Sequence, residues 1–459
     1  MTFQTRRSKL PITVFFTIIL ILLGGVGYIY LSPMFEQDKP SISADEEIYW
    51  NLKTKLNIEI NDSSGLKYYK ITFIDGKRNI VLNNEIYSDV QKSINIEVEA
   101  PKLDMFYKGE NVSLVVEAVD NSKWNLLEGN KAVKKIKVNI DTKKPTANVL
   151  SNSRYIKRGG SAAVVVKVED KNLQDSFISF NNQKRFELIP YYKEGYYAAI
   201  IGWPMDIEEF KRVNLIAVDK AQNKTITKIP FYIQKGNVKV DKIDLSERFI
   251  KNVSASVLEQ SFEKIPKSLE DIFIYSNKDL REKNIDTIET VAQKAIEGKM
   301  VEEFSIKAFK RLRGSKRVAD YGERRIYSLN GKEINEAWHL GMDWASVKKA
   351  TVRTSNVGEV VFKDYLGLYG NTIIIDHSLG LCSLYAHTSS QSVDVGDKVR
   401  AKQKIANTGA TGAVFGDHLH FGILAQGVEV NPIEWMDRNW IKTRITDILE
   451  DSKKIIDGK

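Results

Sequence analysis

The clearest feature of the hydrophobic pattern is one uninterrupted apolar run near the N-terminus. No charged residue lies between Lys9 and Glu36, and residues 12–31 are almost wholly apolar. A helix of that length spans roughly 30 Å, the hydrocarbon thickness of a bilayer. The pattern therefore predicts a transmembrane helix over residues 12–31, preceded by a short tail at residues 1–11.

The flanks of this run predict its orientation. Arg6, Arg7 and Lys9 precede it, which places the tail in the cytoplasm by the positive-inside rule. A cleaved signal peptide is the alternative, but no small-x-small cleavage site follows and the run is longer than a typical signal-peptide core. We expect an uncleaved anchor, hence a single-pass inner (cytoplasmic) membrane protein whose remaining chain is periplasmic or otherwise extracytoplasmic.

After a polar linker, the pattern changes to the two-residue period of half-buried strands. Residues 55–60, 68–74, 94–100 and 112–119 each alternate apolar and polar side chains. Asn, Asp and Gly separate these segments at the spacing of a β-sandwich. The pattern predicts an all-β region with strands at these positions.

A short internal repeat divides this β-rich region. The tripeptide Ala-Val-Asp closes a predicted strand at 118–120 and again at 217–219, about one immunoglobulin-like domain further on. We therefore predict two tandem immunoglobulin-like β-sandwiches, over residues 45–144 and 145–236. Neither contains a histidine, and we expect them to act as a spacer or a binding module with unknown protein partners.

The last half of the chain has a different pattern. Apolar residues recur at three-to-four spacing over residues 237–300, which predicts a helical connector. Strand patterns with glycine-containing turns return over residues 301–442, and a helical tail follows at 443–459. The fold class expected for the whole chain is mainly β, with one transmembrane helix, two β-sandwiches, a short helical connector and a C-terminal all-β domain.

A basic run stands at the start of the C-terminal domain. It comprises Lys307, Lys310, Arg311, Arg313, Lys316 and Arg317. A solvated hairpin face accounts for it, and contact with an anionic envelope polymer is the alternative. No aromatic residues are interleaved with these cations, so we expect no nucleic-acid partner.

Composition adds little beyond a globular class. The chain has 459 residues, of which 42% are hydrophobic and 28% charged, with a net charge of +9. The single cysteine, Cys382, excludes an intrachain disulfide. A cysteine nucleophile is a rival hypothesis, but Cys382 lies inside a predicted strand and not at a helix N-terminus, where its pKa would be lowered.

The histidines are confined to one part of the chain. All five lie within residues 339–420, and the remaining sequence has none. His339 and Asp343 offer a nitrogen and a hard oxygen, a combination that suits zinc. His418 and His420 alternate with Leu419 on a predicted strand and therefore point to one face. Taken alone, that pair fits a metal site and a solvated strand equally well.

These pieces together resemble peptidase family M23, the LytM or lysostaphin-like zinc metallopeptidases. The resemblance runs from about residue 321 to 435. It is carried by HLGMDWA (339–345), GNTIIIDHSLGLCSLYAHTS (370–389), VGDKVRAKQKIANTGATG (395–412) and HLHFGI (418–423). The family's fold implies a duplicated hybrid motif, which is all-β, for the C-terminal domain.

The resemblance implies a role for each matching residue. One zinc ion per chain is expected on His339, Asp343 and His420. The expected catalytic histidines are His387 and His418, and His377 is expected to be structural. Substrate contacts are expected from Tyr385, Asn407, Thr408 and Gly409. Tyr385 is included because two-residue alternation places it on the same face as His387.

The resemblance also implies an activity. With three protein ligands, zinc keeps a coordination position for water, as hydrolytic sites require. No glutamate of an HExxH motif is present, so His387 and His418 would handle the proton transfers. We expect a hydrolase that cuts stem-peptide cross-links of peptidoglycan, by default a D,D-endopeptidase, in cell-wall remodelling. The alternative is a catalytically idle regulator that activates an amidase or binds the wall, although every motif position matches the active pattern.

Overall fold

The computed structural model describes residues 10–458 apart from 77, 105, 106, 108, 110, 297 and 299. Most of the predicted cytoplasmic tail therefore lies outside the described residues. The chain divides into two compact units: the first consists of Met1–Lys144 with Asp219–Asn223, and the second of Pro145–Val218 with Lys224–Lys459. Strands predominate in both, which confirms the mainly β prediction.

The first unit begins with helix α1, which covers Leu10–Leu31. Its Ile12–Leu31 segment has a mean hydropathy of 2.4 and none of it is buried. By length and composition this helix can cross a membrane, and its limits agree with the predicted span. A membrane anchor and a signal sequence share these properties.

The rest of the first unit forms one six-stranded sheet in the order β1-β3-β5-β6-β2, with β4 also paired to β3. Its strands are β1 (Ser41–Ser43), β2 (Glu47–Trp50), β3 (Leu56–Ile74), β4 (Asn79–Val98), β5 (Val112–Asp120) and β6 (Lys131–Ile140), with the short turn α2 (Trp124–Leu127) before β6. The strands predicted at 55–60 and 68–74 are one continuous β3. The register shifts around Gly65, whose φ of 88° lets the strand bend without ending.

The second unit begins with two facing sets of strands, in the orders β11-β10-β14-β15 and β12-β13-β9-β7. The strands are β7 (Thr146–Asn152), β8 (Tyr155–Lys157), β9 (Ser161–Glu169), β10 (Leu173–Phe180), β11 (Lys184–Glu187), β12 (Ile189–Pro190), β13 (Tyr196–Gly202), β14 (Val213–Asp219), β15 (Lys224–Ile229) and β16 (Tyr232–Gln234). Their buried side chains share one hydrophobic core with the C-terminal domain. The immunoglobulin-like assignment of both β-rich regions stays a prediction.

The segment predicted as a helical connector starts with a strand, β17 (Val240–Leu245), which pairs in parallel with a later strand of the C-terminal domain. Helices α3 (Glu247–Phe249), α4 (Ala255–Gln260), α5 (Leu269–Ile274) and α6 (Leu280–Ile296) follow. In α6 the buried positions recur every four residues, at 280, 284, 288 and 292. The side chains of residues 240–245 instead alternate between exposed and less exposed positions, which is the period of a strand and not of the predicted helical connector.

The C-terminal part is built on an eight-stranded sheet in the order β18-β21-β29-β25-β24-β23-β27, with β30 paired to β29. Its strands and those of two three-stranded sheets are β18 (Lys316–Ala319), β19 (Glu323–Leu329), β20 (Lys332–His339), β21 (Met342–Ala345), β22 (Thr351–Arg353), β23 (Gly358–Leu366), β24 (Gly370–Asp376), β25 (Leu381–Ala386), β26 (Thr388–Gln391), β27 (Lys398–Val399), β28 (Lys404–Thr408), β29 (Leu419–Ala425) and β30 (Val428–Val430). Helices α7 (Pro432–Met436), α8 (Arg438–Ile441) and α9 (Asp447–Ile456) close the chain.

Candidate metal centre

Strand register places the key side chains on one face of the eight-stranded sheet. Asp343 of β21 lies directly opposite His420 of β29. Directly opposed residues of antiparallel strands point the same way, and their neighbours point to the other side. We call the side that carries Asp343 and His420 the metal face. The side that carries Trp344 and Phe421 is the back face.

His339, the last residue of β20, completes a three-residue cluster on the metal face. Its Nδ1 donates to the carbonyl oxygen of Asp320 at 2.8 Å. Its Nε2 lies 3.1 Å from Oδ2 of Asp343 and 3.2 Å from Nδ1 of His420. The potential ligand atoms of the three residues all lie within 4.8 Å of one another, and all three residues are buried. This geometry suits a single metal ion.

Gly341 leaves room for the His420 ring. A Cβ at position 341 would lie 2.3 Å from Nε2 of His420, which is closer than real Cβ contacts. The close approach of β29 therefore favours glycine between His339 and Asp343.

Two further histidines stand beside the cluster. His387 follows β25 with a φ of 58°, and its Nδ1 donates to the carbonyl oxygen of Thr411 at 2.9 Å. His418 donates from Nδ1 to the carbonyl oxygen of Gly416 at 2.8 Å. The two rings have centroids 4.9 Å apart. Because both Nδ1 atoms are held by carbonyls, each neutral ring presents the lone pair of Nε2.

Burial and neighbouring charges set the protonation of this group. Burial would raise the pKa of the Asp343 carboxyl, but His339 and His420 outweigh it and hold that pKa well below its usual range. Burial lowers the pKa of His420 to about 4, against the opposing effect of Asp343. Burial, with the charges of His418 and His420, also holds the pKa of His387 well below its usual range. Neutral imidazoles and an ionised carboxylate are the forms that bind a metal.

The same stretch of sequence matches a known family. Residues 337–432 match the family model described as Peptidase family M23. The chain contains a peptidase M23 domain. The predicted resemblance, residues 321–435, encloses the matched range.

Curated relatives of the M23 domain have two kinds of name. The chain is 40% identical over 95 residues to the DD-carboxypeptidase/endopeptidase Mpg of Neisseria meningitidis serogroup B, which covers 21% of this chain and 22% of that protein. It is 35% identical over 118 residues to the murein hydrolase activator EnvC of Escherichia coli, which covers 26% of each. The chain thus spans about a quarter or less of the length of these relatives.

This chain is also similar to solved structures of peptidases. The catalytic domain of lysostaphin from Staphylococcus simulans is 28% identical with a TM-score of 0.24, over 27% of this chain and 94% of that one.

A charged network beside the candidate metal cluster was not predicted from the sequence. Glu323, the first residue of β19, is 2% exposed, and its Oε1 accepts from the backbone N–H of Asp320 at 3.2 Å. Its carboxylate also pairs with Lys239 at 2.6 Å and with Arg325 at 3.7 Å. Arg325 lies 3.7 Å from Oδ2 of Asp343. Glu323 therefore connects to His339 through the backbone of Asp320, whose N–H donates to Glu323 and whose carbonyl accepts from His339. It connects to Asp343 through Arg325.

Tyr369 is a second residue that the motifs did not identify. Its ring edge lies against His420, with centroids 5.6 Å apart, and its hydroxyl donates to Oε1 of Glu429 at 2.9 Å. Burial raises the pKa of Glu429 to about 7. No spacing or residue pattern connects Tyr369 or Glu429 with the histidines, because they meet only through the sheet.

The cluster opens into a cavity of about 440 Å³. Its lining includes all three cluster residues together with His387 and His418. Another wall comes from the segment before the M23 domain, including Lys239, Phe249 and Arg281. The ring of Phe249 stacks on Phe415, with centroids 4.3 Å apart. Residues upstream of the matched domain thus border its candidate site.

Tyr385 does not join the site. It lies opposite Phe421 on the back face, is 2% exposed, and its ring centroid is 5.4 Å from that of Phe421. Regular alternation from Tyr385 to His387 predicted a shared face, but the left-handed backbone at His387 breaks the alternation. The prediction of a substrate contact at Tyr385 is corrected accordingly.

The other residues predicted to contact the substrate are Asn407, Thr408 and Gly409. Asn407 donates from Nδ2 to the carbonyl of Lys349, and Thr408 is 1% exposed and bonds Oδ1 of Asp417 at 2.5 Å. Gly409 accepts from the backbone N–H of His418 at 3.1 Å. Of the three, only Gly409 touches a site histidine, through its main chain.

His377 and Cys382 are placed away from the cluster. His377 is 7% exposed, and its two ring nitrogens lie 2.7 Å from the Val357 carbonyl oxygen and 2.7 Å from the Ser383 hydroxyl. Cys382 is fully buried in an apolar cluster that includes Ile374 and Leu384. Neither borders the cavity above the metal face.

Proposed function

We propose that this protein is a zinc-dependent endopeptidase that cuts the stem-peptide cross-links of peptidoglycan. The observation that supports the proposal most is the convergence of His339, Asp343 and His420 on one point, with His387 and His418 beside it. These five residues come from β20, β21, β29 and the loops next to β25 and β29. A packed hydrophobic core does not require these five residues to meet at one cavity.

The donor set fits zinc. Two imidazole nitrogens and one carboxylate oxygen are a common ligand set of catalytic zinc, which keeps one further position for water. His339 is oriented for this role, because the Asp320 carbonyl holds the proton on Nδ1 and leaves Nε2 toward the cluster. When bound, zinc supplies a Lewis acid that polarises a peptide carbonyl and makes water a stronger acid.

The remaining two histidines have the properties of proton carriers. His387 is neutral, and its Nε2 can accept a proton while the Thr411 carbonyl holds Nδ1–H. His418 has the same arrangement, with the Gly416 carbonyl on its Nδ1. Its Nε2 lies 3.7 Å from Oδ1 of Asp343. Each ring can therefore hold a proton at Nε2 and return it to the leaving amine.

Two relatives support peptidoglycan as the substrate. One is named a DD-carboxypeptidase/endopeptidase and another, from Vibrio cholerae, a peptidoglycan DD-endopeptidase with 30% identity over 114 residues. By extension we propose a D,D cross-link as the bond cut here. Digestion of purified peptidoglycan, with mass spectrometry of the released fragments, identifies the bond. Release of fragments that a chelator fails to suppress would contradict the zinc assignment.

A regulatory role is the second candidate, because two relatives are named murein hydrolase activators. The intact set of five site residues favours catalysis. If the protein is instead an activator, it will release no fragments alone but will stimulate an added amidase. That stimulation would persist in a His420→Ala variant, whereas hydrolysis by the protein itself would not.

We further propose that α1 anchors the chain in the cytoplasmic membrane, with its N-terminus inside and the M23 domain outside. The uncharged segment and the preceding basic residues support this topology. Protease added to spheroplasts should digest the second unit and leave a short membrane-bound fragment. Recovery of the intact domain in the soluble periplasmic fraction would indicate cleavage of a signal sequence.

A further inference from the structure

A cleft lined by many cations lies on the other side of the sheet from the metal face. This cleft, of about 940 Å³, borders the back face of β21 and β29, next to Trp344 and Leu419. We call it the basic cleft. Its cationic lining comprises Lys307, Lys310, Arg311, Arg313, Arg353, Lys402, Arg438 and Lys442.

Most of the positive charge in this cleft is not paired with carboxylates of the described residues. Among the described residues, none that line the cleft is an aspartate or a glutamate. Lys442 pairs with Asp447 at 2.9 Å, whereas none of the other seven cations has a carboxylate within 4.0 Å among the described residues. Like charges at this density repel one another, and an anionic ligand would relieve that repulsion. A merely solvated surface usually mixes both signs.

The cations are carried by backbone that is held in place. The segment 304–313 has no regular secondary structure, yet the backbone N–H of Lys307 donates to Asn356 and that of Lys310 to Ser355, both at 2.8 Å. Phe309 and Leu312 from the same segment are buried. Burial of these two residues fixes the position of the segment beside the cleft, which its cations line.

The floor of the cleft is apolar and includes one unused donor. Trp344, Tyr385 and Leu419 line it and are each at most 2% exposed. The indole Nε1 of Trp344 is buried and has no hydrogen-bond partner in the described structure. A buried donor without a partner is costly, and a ligand oxygen is one way to satisfy it.

We propose that the basic cleft binds the carboxylate-bearing peptides of the wall polymer at a second site, distinct from the one where they are cut. Guanidinium groups of Arg311, Arg313, Arg353 and Arg438 match carboxylates as two-pronged donors. The apolar floor suits a peptide that carries small apolar side chains between its carboxylates. A continuous polyphosphate has no group for that floor. The identity of the polymer rests on the proposed function, but the binding site does not.

The test compares two variants of the full-length protein with four charges removed in each. The cleft variant is Lys307→Gln, Lys310→Gln, Arg311→Gln and Arg313→Gln. The control removes four exposed lysines of the first unit, Lys53→Gln, Lys92→Gln, Lys102→Gln and Lys135→Gln. Binding to insoluble peptidoglycan is measured by co-sedimentation with a chelator present, so that cleavage plays no part.

We expect the control to bind like the wild type and the cleft variant to bind about tenfold more weakly or worse at low salt. The difference in affinity between wild type and cleft variant should narrow as the salt concentration rises, since screening weakens the interactions of exposed charges. An Arg353→Gln, Arg438→Gln variant, which removes two further cations of the cleft, should show a smaller loss in the same direction. Thermal unfolding should be unchanged in all variants, because the altered side chains are exposed.

Two results would overturn the proposal. Equal weakening in the cleft and control variants would mean that net charge alone drives binding. Stronger competition by inorganic polyphosphate than by a peptide of alternating glutamate and alanine would assign the cleft to phosphate. Loss of hydrolysis in His418→Ala with binding retained separates this site from the proposed activity. Conversely, the cleft variant should lose binding to peptidoglycan and still cut a short soluble peptide. That result would show that the proposed activity does not depend on the basic cleft.

Discussion

The metal face and the back face of β21 and β29 are made by alternate residues of the same strands, yet they have opposite chemistry. Asp343 and His420 bury polar groups on one side, and Trp344 and Phe421 stack at 4.9 Å on the other. Polar groups are costly to bury unless they are paired. The metal face is therefore held by hydrogen bonds and charge, and the back face by packing.

Alternate residues of one strand therefore have different roles: those of the back face stabilise the fold, and those of the metal face form the candidate site. Changes on the back face should cost folding free energy, whereas changes on the metal face should cost metal and turnover. Loss of the hydrogen bonds and ion pairs of Glu323 should weaken metal affinity and have little effect on the stability of the core. Each experiment below measures one side of this separation.

The largest effect is expected within the metal face itself. A His420→Ala variant should lose zinc and peptidoglycan hydrolysis together, because it removes a ligand. A His418→Ala variant should keep zinc and lose turnover by roughly 10²–10⁴-fold, the usual contribution of a proton-transferring group. Zinc content and fragment release are measured on the same samples. Loss of zinc in both variants would place His418 among the ligands.

On the back face, Phe421→Ala should reduce the free energy of unfolding by about 3–5 kcal/mol, through the lost burial and the cavity left behind. Phe421 is 1% exposed and its ring contacts Trp344, Tyr385 and Phe309. Denaturant unfolding measures the loss. Phe415→Ala, at a ring that is 79% exposed, is the control and should cost far less. Equal losses would mean that the back face is not the packed side.

A buried histidine outside the metal face should make stability depend on pH. Burial lowers the pKa of His377 to about 4, below the value of about 6.5 expected when unfolded. The unfolded chain therefore binds more protons between these values, and stability falls as the pH drops through this window. The full contribution, about 3 kcal/mol, is present above pH ~6.5.

His377→Gln removes this titration and keeps a polar side chain. The stability difference between wild type and variant should shrink from pH 7 toward pH 4, measured by denaturant unfolding at each pH. A constant difference across that range would show that His377 does not titrate on unfolding.

The smallest effect is expected from a change in the network around Glu323. Glu323→Gln should weaken zinc affinity by about 10–100-fold, the usual cost of losing a group that orients metal ligands. Competition with a zinc indicator measures this directly, without reference to activity. Glu336→Gln on the same hairpin, whose side chain is 58% exposed and pairs with Arg324, should leave affinity unchanged. Equal affinities in wild type and both variants would remove Glu323 from the network.

Sequence pattern predicted several features that the structure contains. The apolar run at 12–31 corresponds to α1, since a long apolar segment without charges has few alternatives to a helix. The alternation at His418 and His420 predicted a strand, and β29 begins between them at Leu419. The clustering of histidines in one window pointed to the site because chance rarely confines a rare residue type in this way.

Other features depended on conformations that a pattern does not reveal. The left-handed backbone at His387 brings that side chain to the metal face, so that it does not share a face with Tyr385 as alternation predicted. The bend at Gly65 joined two predicted strands into β3. Both outcomes turn on a single backbone angle, and neither residue's neighbours in the sequence indicate it.

By itself, the sequence determined the kinds of element and the chemical inventory: an apolar helix, alternating strands, and three candidate ligands with two histidines nearby. Those properties follow from local spacing and residue type. Only the tertiary structure brings Glu323 close to two candidate ligands and places Phe249 at the cavity. It also gathers in one cleft seven cations that have no carboxylate partner among the described residues. These residues are distant in the chain, and only sheet register and packing bring them together.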